Sequence, residues 1–280
     1  MPPHAVTALE PLKSGGYRDR SPLDVSLHPP MHSWKQAVAR AFDGAEGYDA
    51  AAVIQARVAE GLATRVAALP LATAPRVLEI GCGTGLLTAA LHQRITPGAY
   101  LATDLAPAMI LRCRARLGSG PRFVVMDGER PCLAPGFDLV CSSLAAQWFE
   151  DLPDALTRLA GLLAPRGHLA VATLAAGTFA EWRQAHADIG LTAATPNYPT
   201  AADLEALRIP GCTVAVAYEP LVEVHADGRA FLNALRAIGA GTPAGRAPLS
   251  PGSLRRVLRR FETAGPRVTY EVATLVLQRN

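Results

Sequence analysis

The chain has 280 residues, half of them hydrophobic, which is enough to bury a full core and near the upper size for one domain. A formal net charge of +3, carried almost wholly by arginine with lysine only at Lys13 and Lys35, is too small to indicate nucleic acid as a partner. The five cysteines, at 82, 113, 132, 141 and 212, are odd in number and form no C-x-x-C pair, so neither a zinc site nor a disulfide framework is expected.

Residues 1–33 carry Pro2, Pro3, Pro11, Pro22, Pro29 and Pro30 among small and polar residues without periodicity, which predicts a disordered tail ahead of a single domain over 34–280. The N-terminus has no apolar h-region and no window approaches the ~20 apolar residues of a membrane span, so a cytoplasmic protein without membrane contact is expected. A helical pattern starts at Trp34 with Val38, Ala41 and Phe42. It resumes after a glycine-containing interruption through Val53, Val58, Leu62 and Val66, giving N-terminal helices over 34–70.

From there apolar strands alternate with helices, which predicts a parallel, doubly wound sheet. The strands fall at 76–80, 99–103, 122–126, 137–142 and 168–173, with helices near 85–94, 106–117 and 152–164. Pro165-Arg166-Gly167 reads as the stop after the last of these helices. Two further strand patterns, 213–224 and 267–278, are separated by about 40 residues that read as helical, with Phe231, Leu232, Leu235 and Ile238 and then Leu254, Val257, Leu258 and Phe261 at helical spacing. Such an insertion over 225–266 above the strand ends is expected to cap a substrate.

The first strand runs into Glu79-Ile80-Gly81-Cys82-Gly83-Thr84-Gly85, a turn with glycine at every second position that lets backbone approach a ligand. Asp104 closes the second strand nineteen residues after Gly85, at the spacing of a carboxylate that takes a ribose hydroxyl pair. The G-x-G-x-G order differs from the G-x-G-x-x-G that seats a pyrophosphate, which favours S-adenosylmethionine over NAD. Cys82 is read as a small residue that fits the turn and not as a nucleophile. The histidines at 92, 168, 186 and 225 share no spacing, so neither a metal nor a proton relay is assigned.

Glu79, Gly81, Gly83 and Gly85 match the E-x-G-x-G-x-G motif, and the chain resembles the class I methyltransferases from about residue 35 onward. The resemblance implies a Rossmann-like, mostly parallel seven-stranded sheet with an antiparallel last strand. It also implies donor contacts from Gln55, Leu105, Met109, Gly128 and Ser143, a carboxylate at Asp127 that accepts from the adenine amino group, and a Glu79 that orients the turn and the cofactor's amino end.

A narrower set of segments occurs together: Phe42-Asp43, Tyr48-Asp49 and Gln55; Ser142-Ser143-Leu144 with Gln147-Trp148; Leu235 to Ala240; and Val268-Thr269-Tyr270. This set is similar to the malonyl-[acyl-carrier protein] O-methyltransferases of biotin synthesis. The resemblance implies methyl transfer to the free carboxylate of a malonyl thioester on an acyl carrier protein, with Tyr48, Trp148 and Arg236 positioning the substrate and no general base. Another small-carboxylate methyltransferase and a non-catalytic donor-binding protein are the competing expectations. Arg255, Arg256, Arg259 and Arg260 at helical spacing are a candidate rim for the acidic carrier. The chain departs from the family in a segment 42–48 shorter by one residue, a change that turns the later residues of a helix by ~100°, and in Gly241-Thr242 after Ala240.

Overall fold

The computed structural model describes residues 33–45, 47–118, 120–240 and 249–280. The expectations for the 1–33 tail and for Gly241-Thr242 therefore lie outside the described residues, apart from Ser33 at the start of the first helix.

Three helices precede the sheet: α1 (Ser33–Asp43), α2 (Tyr48–Ala51) and α3 (Val53–Ala67). The strands are β1 (Arg76–Ile80), β2 (Ala99–Asp104), β3 (Arg122–Val125), β4 (Phe137–Ser143), β5 (Leu163–Leu174), β6 (Cys212–Val224) and β7 (Arg267–Arg279). They form one seven-stranded sheet in the order β3-β2-β1-β4-β5-β7-β6. Strands β1 to β5 pair in parallel, and β7 runs antiparallel between β5 and β6. The chain therefore has the doubly wound, mostly parallel sheet expected from its strand pattern, with the antiparallel last strand that the resemblance implied.

Central strands are apolar because both faces are covered. On one face Val77, Leu139 and Ala170 pack with α3 and with α4 (Leu86–His92) and α5 (Pro107–Leu117). On the other, Leu78, Val140 and Leu169 pack with α6 (Leu152–Gly161) and α8 (Ala201–Glu205). The insertion between β6 and β7 is helical: α9 (Gly228–Ala237) and α10 (Pro251–Thr263). Each starts at a side-chain cap, Asp227 accepting from the Ala230 N–H and Ser250 from the Ser253 N–H, which satisfies donors the helix itself cannot. Phe231 and Phe261 bury their rings against Trp182 of α7 (Ala180–Ala187), with centroids 5.4 and 5.3 Å from it.

Two details differ from the sequence reading. Helix α6 ends at Gly161, not near 164, and β5 starts at once with Leu163 paired to Phe137. The register then jumps to Leu139↔His168, so Pro165-Arg166-Gly167 is an outward bulge inside the strand, with Arg166 at φ 63°. The stretch between β5 and β6 holds α7 and α8, whose eight and five residues are too short to give a clear helical period.

Candidate active site

The glycine turn lies across the carboxyl ends of β1 and β2, where the Cys82 N–H donates to the Thr103 carbonyl at 2.8 Å. Gly81 and Gly83 have φ of +68° and +53°, a region costly for a residue with a side chain. A Cβ on Gly81 would stand 2.3 Å from Cβ of Ala145, whereas above Gly83 the nearest atom is the Tyr48 hydroxyl at 4.0 Å. The turn is therefore packed tightly from beneath at Gly81 and open above Gly83.

Asp104 ties the turn to β2. Its Oδ2 accepts from the Gly83 N–H and its Oδ1 from the Ala106 N–H, both at 2.8 Å. Burial pushes its carboxyl up to about 6, against those two backbone donors, which lower it. Asp127, just past β3, accepts from Lys35 Nζ through both oxygens at 2.9 and 2.6 Å. Lys35 lies on α1, is 4% exposed, and also pairs with Glu129 at 2.5 Å. A Cβ on the adjacent Gly128 would stand 2.1 Å from Ile80 Cγ2, so only a residue without a side chain fits there.

The N-terminal helices close the cleft from above. Asp43 accepts from the Ala108 N–H at 2.9 Å, Arg112 donates to the Asp43 and Ala45 carbonyls, and Thr84 of the turn donates to Asp49 at 2.6 Å. Phe42 meets Trp148 edge-on with centroids 5.6 Å apart, and Trp34 packs on the same indole at 5.9 Å. Since α1 ends at Asp43 and α2 begins at Tyr48, they are separate helices and the shorter segment passes no rotation on to Tyr48. Burial, then the Asp104 and Asp49 charges, hold the Tyr48 phenol well above its ordinary range, so it stays protonated.

One cleft is lined by Tyr48, Gly81, Gly83, Asp104, Leu105 and Met109 on one side and by Asp127, Gly128, Ser143 and Trp148 on the other. Four expected site residues lie elsewhere. Glu79 is 1% exposed and accepts from Thr88 of α4 and Tyr100 of β2 at 2.6 and 2.5 Å. Successive strand residues face opposite ways, so Ile80 reaches the cleft and Glu79 the core behind it. Gly85 is also behind the wall, because a Cβ there would meet Cys113 Sγ of α5 at 2.9 Å. Gln55 is half-buried on α3 and Arg236 is exposed on α9, bonded to Asn233 at 3.1 Å; neither lines the cleft. Sequence reasoning missed Lys35, Phe42 and Phe149, which do line it. The available signal was Lys35 itself, one of two lysines in an arginine-rich chain and one turn ahead of Val38-Ala39.

Residues 78–171 match the family described as Methyltransferase domain. The chain is 49% identical over 241 residues to the biotin biosynthesis bifunctional protein BioCD of Bordetella avium (strain 197N), covering 85% of this chain and 51% of that one, so it spans about half that protein's length. It is 42% identical over 241 residues to the malonyl-[acyl-carrier protein] O-methyltransferase of Magnetococcus marinus, covering 84% of this chain and 89% of that one. The chain belongs to the malonyl-[acyl-carrier protein] O-methyltransferase family.

In fold the methyltransferase is similar to geranyl diphosphate methyltransferase in complex with GPP and sinefungin, with a TM-score of 0.53 at 14% identity over 88% of this chain and 98% of that one. Its cofactor is S-adenosylmethionine, and the cleft fits that group: bare glycine backbone at Gly83 and Gly128, acidic acceptors at Asp104 and Asp127, and apolar walls from Ile80, Met109 and Met126. Among the described residues no group of three or more His, Cys, Asp or Glu is arranged to hold a metal ion, and no helix is long and apolar enough to cross a membrane.

Proposed function

We propose that the protein methylates the free carboxylate of a malonyl thioester carried by an acyl carrier protein, giving the methyl ester that primes pimeloyl formation in biotin synthesis in the cytoplasm. The observation that carries this reading is the 42% identity spread over 84% of the chain. S-adenosylmethionine, when bound, supplies an electrophilic methyl group. Asp104 accepts from the ribose hydroxyls and Asp127 from the adenine amino group, while Leu105, Met109 and Ser143 complete the donor walls.

A carboxylate has a reference pKa near ~4 and is already ionised at neutral pH, so no base is required. What the protein supplies is placement in a site shielded from water. Trp148, fixed between Trp34 and Phe42, walls the acceptor side, and the protonated Tyr48 hydroxyl is a donor for a carboxylate oxygen. Arg255, Arg256 and Arg259 stand exposed on α10, while Arg260 is paired with Asp188. The three form a basic face suited to an acidic carrier.

Among the described residues the cleft's lining includes no arginine, so the lining does not single out a malonyl thioester among small carboxylates, and a methyltransferase for another small carboxylate is the second reading. Methyl transfer from labelled S-adenosylmethionine to malonyl-carrier, malonyl-coenzyme A and free dicarboxylates in parallel tests both. Strong preference for the carrier form is expected. Turnover of free dicarboxylates alone overturns the carrier reading.

A further inference from the structure

Behind the 3₁₀ turn Ala146–Trp148 lies a second cavity of ≈ 270 Å³, lined by Gln147, Phe149, Thr173, Asn197, Tyr198 and Leu204 among others. Phe149 lines both this cavity and the donor cleft, so the two meet at the carboxyl ends of β4 and β5. Thr173 is fully buried, yet its hydroxyl has no hydrogen-bond partner. The Gln147 amide is oriented by its Nε2, which donates to the Leu144 carbonyl at 2.7 Å. Its buried Oε1 is left without a partner. Buried polar groups are nearly always paired, and two residues that each hold such an atom line this one cavity, which marks it as a place for a polar ligand.

The chemistry of that ligand is set by the walls. Among the described residues the cavity's lining includes Glu150 and Asp203 but no lysine, arginine or histidine, so an anionic group is disfavoured there. Gln147 Oε1 can only accept and the Thr173 hydroxyl can donate, which together match the N–H and C=O of a secondary amide. Asn197, exposed on the cavity's lining, lies where a chain entering from solvent would pass.

We infer that this cavity is the channel for the amide-bearing pantetheine arm of a carrier-bound thioester, with Thr173 and Gln147 holding one of its amides while the malonyl end enters the donor cleft past Phe149. The inference rests on the carrier-thioester reading above. It assigns the arm a route on the β5 side of the turn, separate from the donor's side.

The test compares malonyl-pantetheine with S-ethyl malonyl thioester, which lacks the arm's amides, as substrates of the full chain. Thr173→Val keeps the volume and removes the hydroxyl. It is expected to lower kcat/KM for malonyl-pantetheine by about fivefold, mainly through KM, as for loss of one neutral hydrogen bond, and so to shrink the preference over the ethyl thioester. Asn197→Trp, a change at an exposed position and therefore safe for folding, is expected to shrink the same preference by obstructing the entrance, and it decides the matter if the Thr173 variant does not fold. Equal losses on both substrates, with the wild type still preferring malonyl-pantetheine, overturn the channel and leave the carrier reading standing. A wild type that methylates free dicarboxylates but neither thioester overturns both.

Discussion

The donor side of the site, at the carboxyl ends of β1 to β3, and the acceptor side, made of the N-terminal helices, the turn after β4, the end of β5 and the helical insertion, are built from different materials. On the donor side the working parts are backbone: two glycines at positive φ, the Gly83 and Ala106 N–H groups on Asp104, and a chain at Gly128 pressed on Ile80. On the acceptor side they are side chains on short elements, such as Tyr48 on a four-residue helix and Gln147 on a single turn. Backbone geometry restricts the residue type at each position and leaves a readable motif, whereas a side chain projecting from a short turn can be reached from many sequences. Substitutions on the two sides should differ accordingly, the donor side losing cofactor affinity and the acceptor side losing only substrate discrimination.

The sharpest way to break that contrast is Asp104→Ala. Its carboxylate bonds the turn and, in the proposed site, the ribose, and each charge-assisted hydrogen bond is worth ~1.5–3 kcal/mol. Calorimetric titration with S-adenosylmethionine should show affinity lower by ~10³-fold in a folded protein. An affinity within threefold of wild type removes Asp104 from the donor site.

Gly81→Ala should come next, at ~3 kcal/mol, from a left-handed backbone combined with a Cβ 2.3 Å from that of Ala145. Ala145→Gly in the same chain takes away the colliding atom but not the backbone strain, so the double variant should recover part of the thermal midpoint. No recovery means that the contact with Ala145 is not what excludes a side chain at Gly81.

How much of this was legible obeys the same division. The strands β1, β2 and β4 were readable because a parallel strand buried on both faces is an apolar run, and the insertion because Phe231, Val257 and Phe261 keep helical spacing. The motif located the cleft but not which way each of its residues points: Glu79 and Gly85 belong to it and face the core, since the period of two along β1 turns Glu79 away from Ile80. Gln55 and Arg236 were placed by resemblance, and neither helix presents that residue to the cleft. Lys35 escaped because its partners, Asp127 and Glu129, are some ninety residues away, a pairing that no local pattern encodes.

Glu79 gives a smaller effect and separates core from site. Burial raises its carboxyl to about 7, against the hydrogen bonds from Thr88 and Tyr100. Because the folded value lies above the unfolded one, the stability it contributes is present below the unfolded value and is lost as pH rises through about 7. Glu79→Gln does not titrate and keeps an oxygen for both hydroxyls. Between pH 5.5 and 7.5 the wild type should therefore lose ~2 kcal/mol relative to the variant, or about 4–6 °C of midpoint. Donor affinity at pH 6 should be nearly the same in both, and a large drop in the variant would place Glu79 at the cofactor after all.

The smallest effect is expected at Arg236. An arginine that clasped the substrate carboxylate in a bidentate fork would, on removal, reduce kcat/KM by ~10²-fold, with Arg236→Lys restoring only part. Here the guanidinium is exposed on α9, bonds Asn233 of the same helix, and is not among the residues of the cleft. Removing such a group changes free energies by about ±0.5 kcal/mol, so Arg236→Ala should turn over malonyl-carrier within about twofold of wild type, with donor affinity unaltered. A hundredfold loss confined to the malonyl substrate would mean that α9 swings its arginine into the cleft when substrate binds. The acceptor side would then hold its ligand by movement, where the donor side holds its own by a rigid backbone.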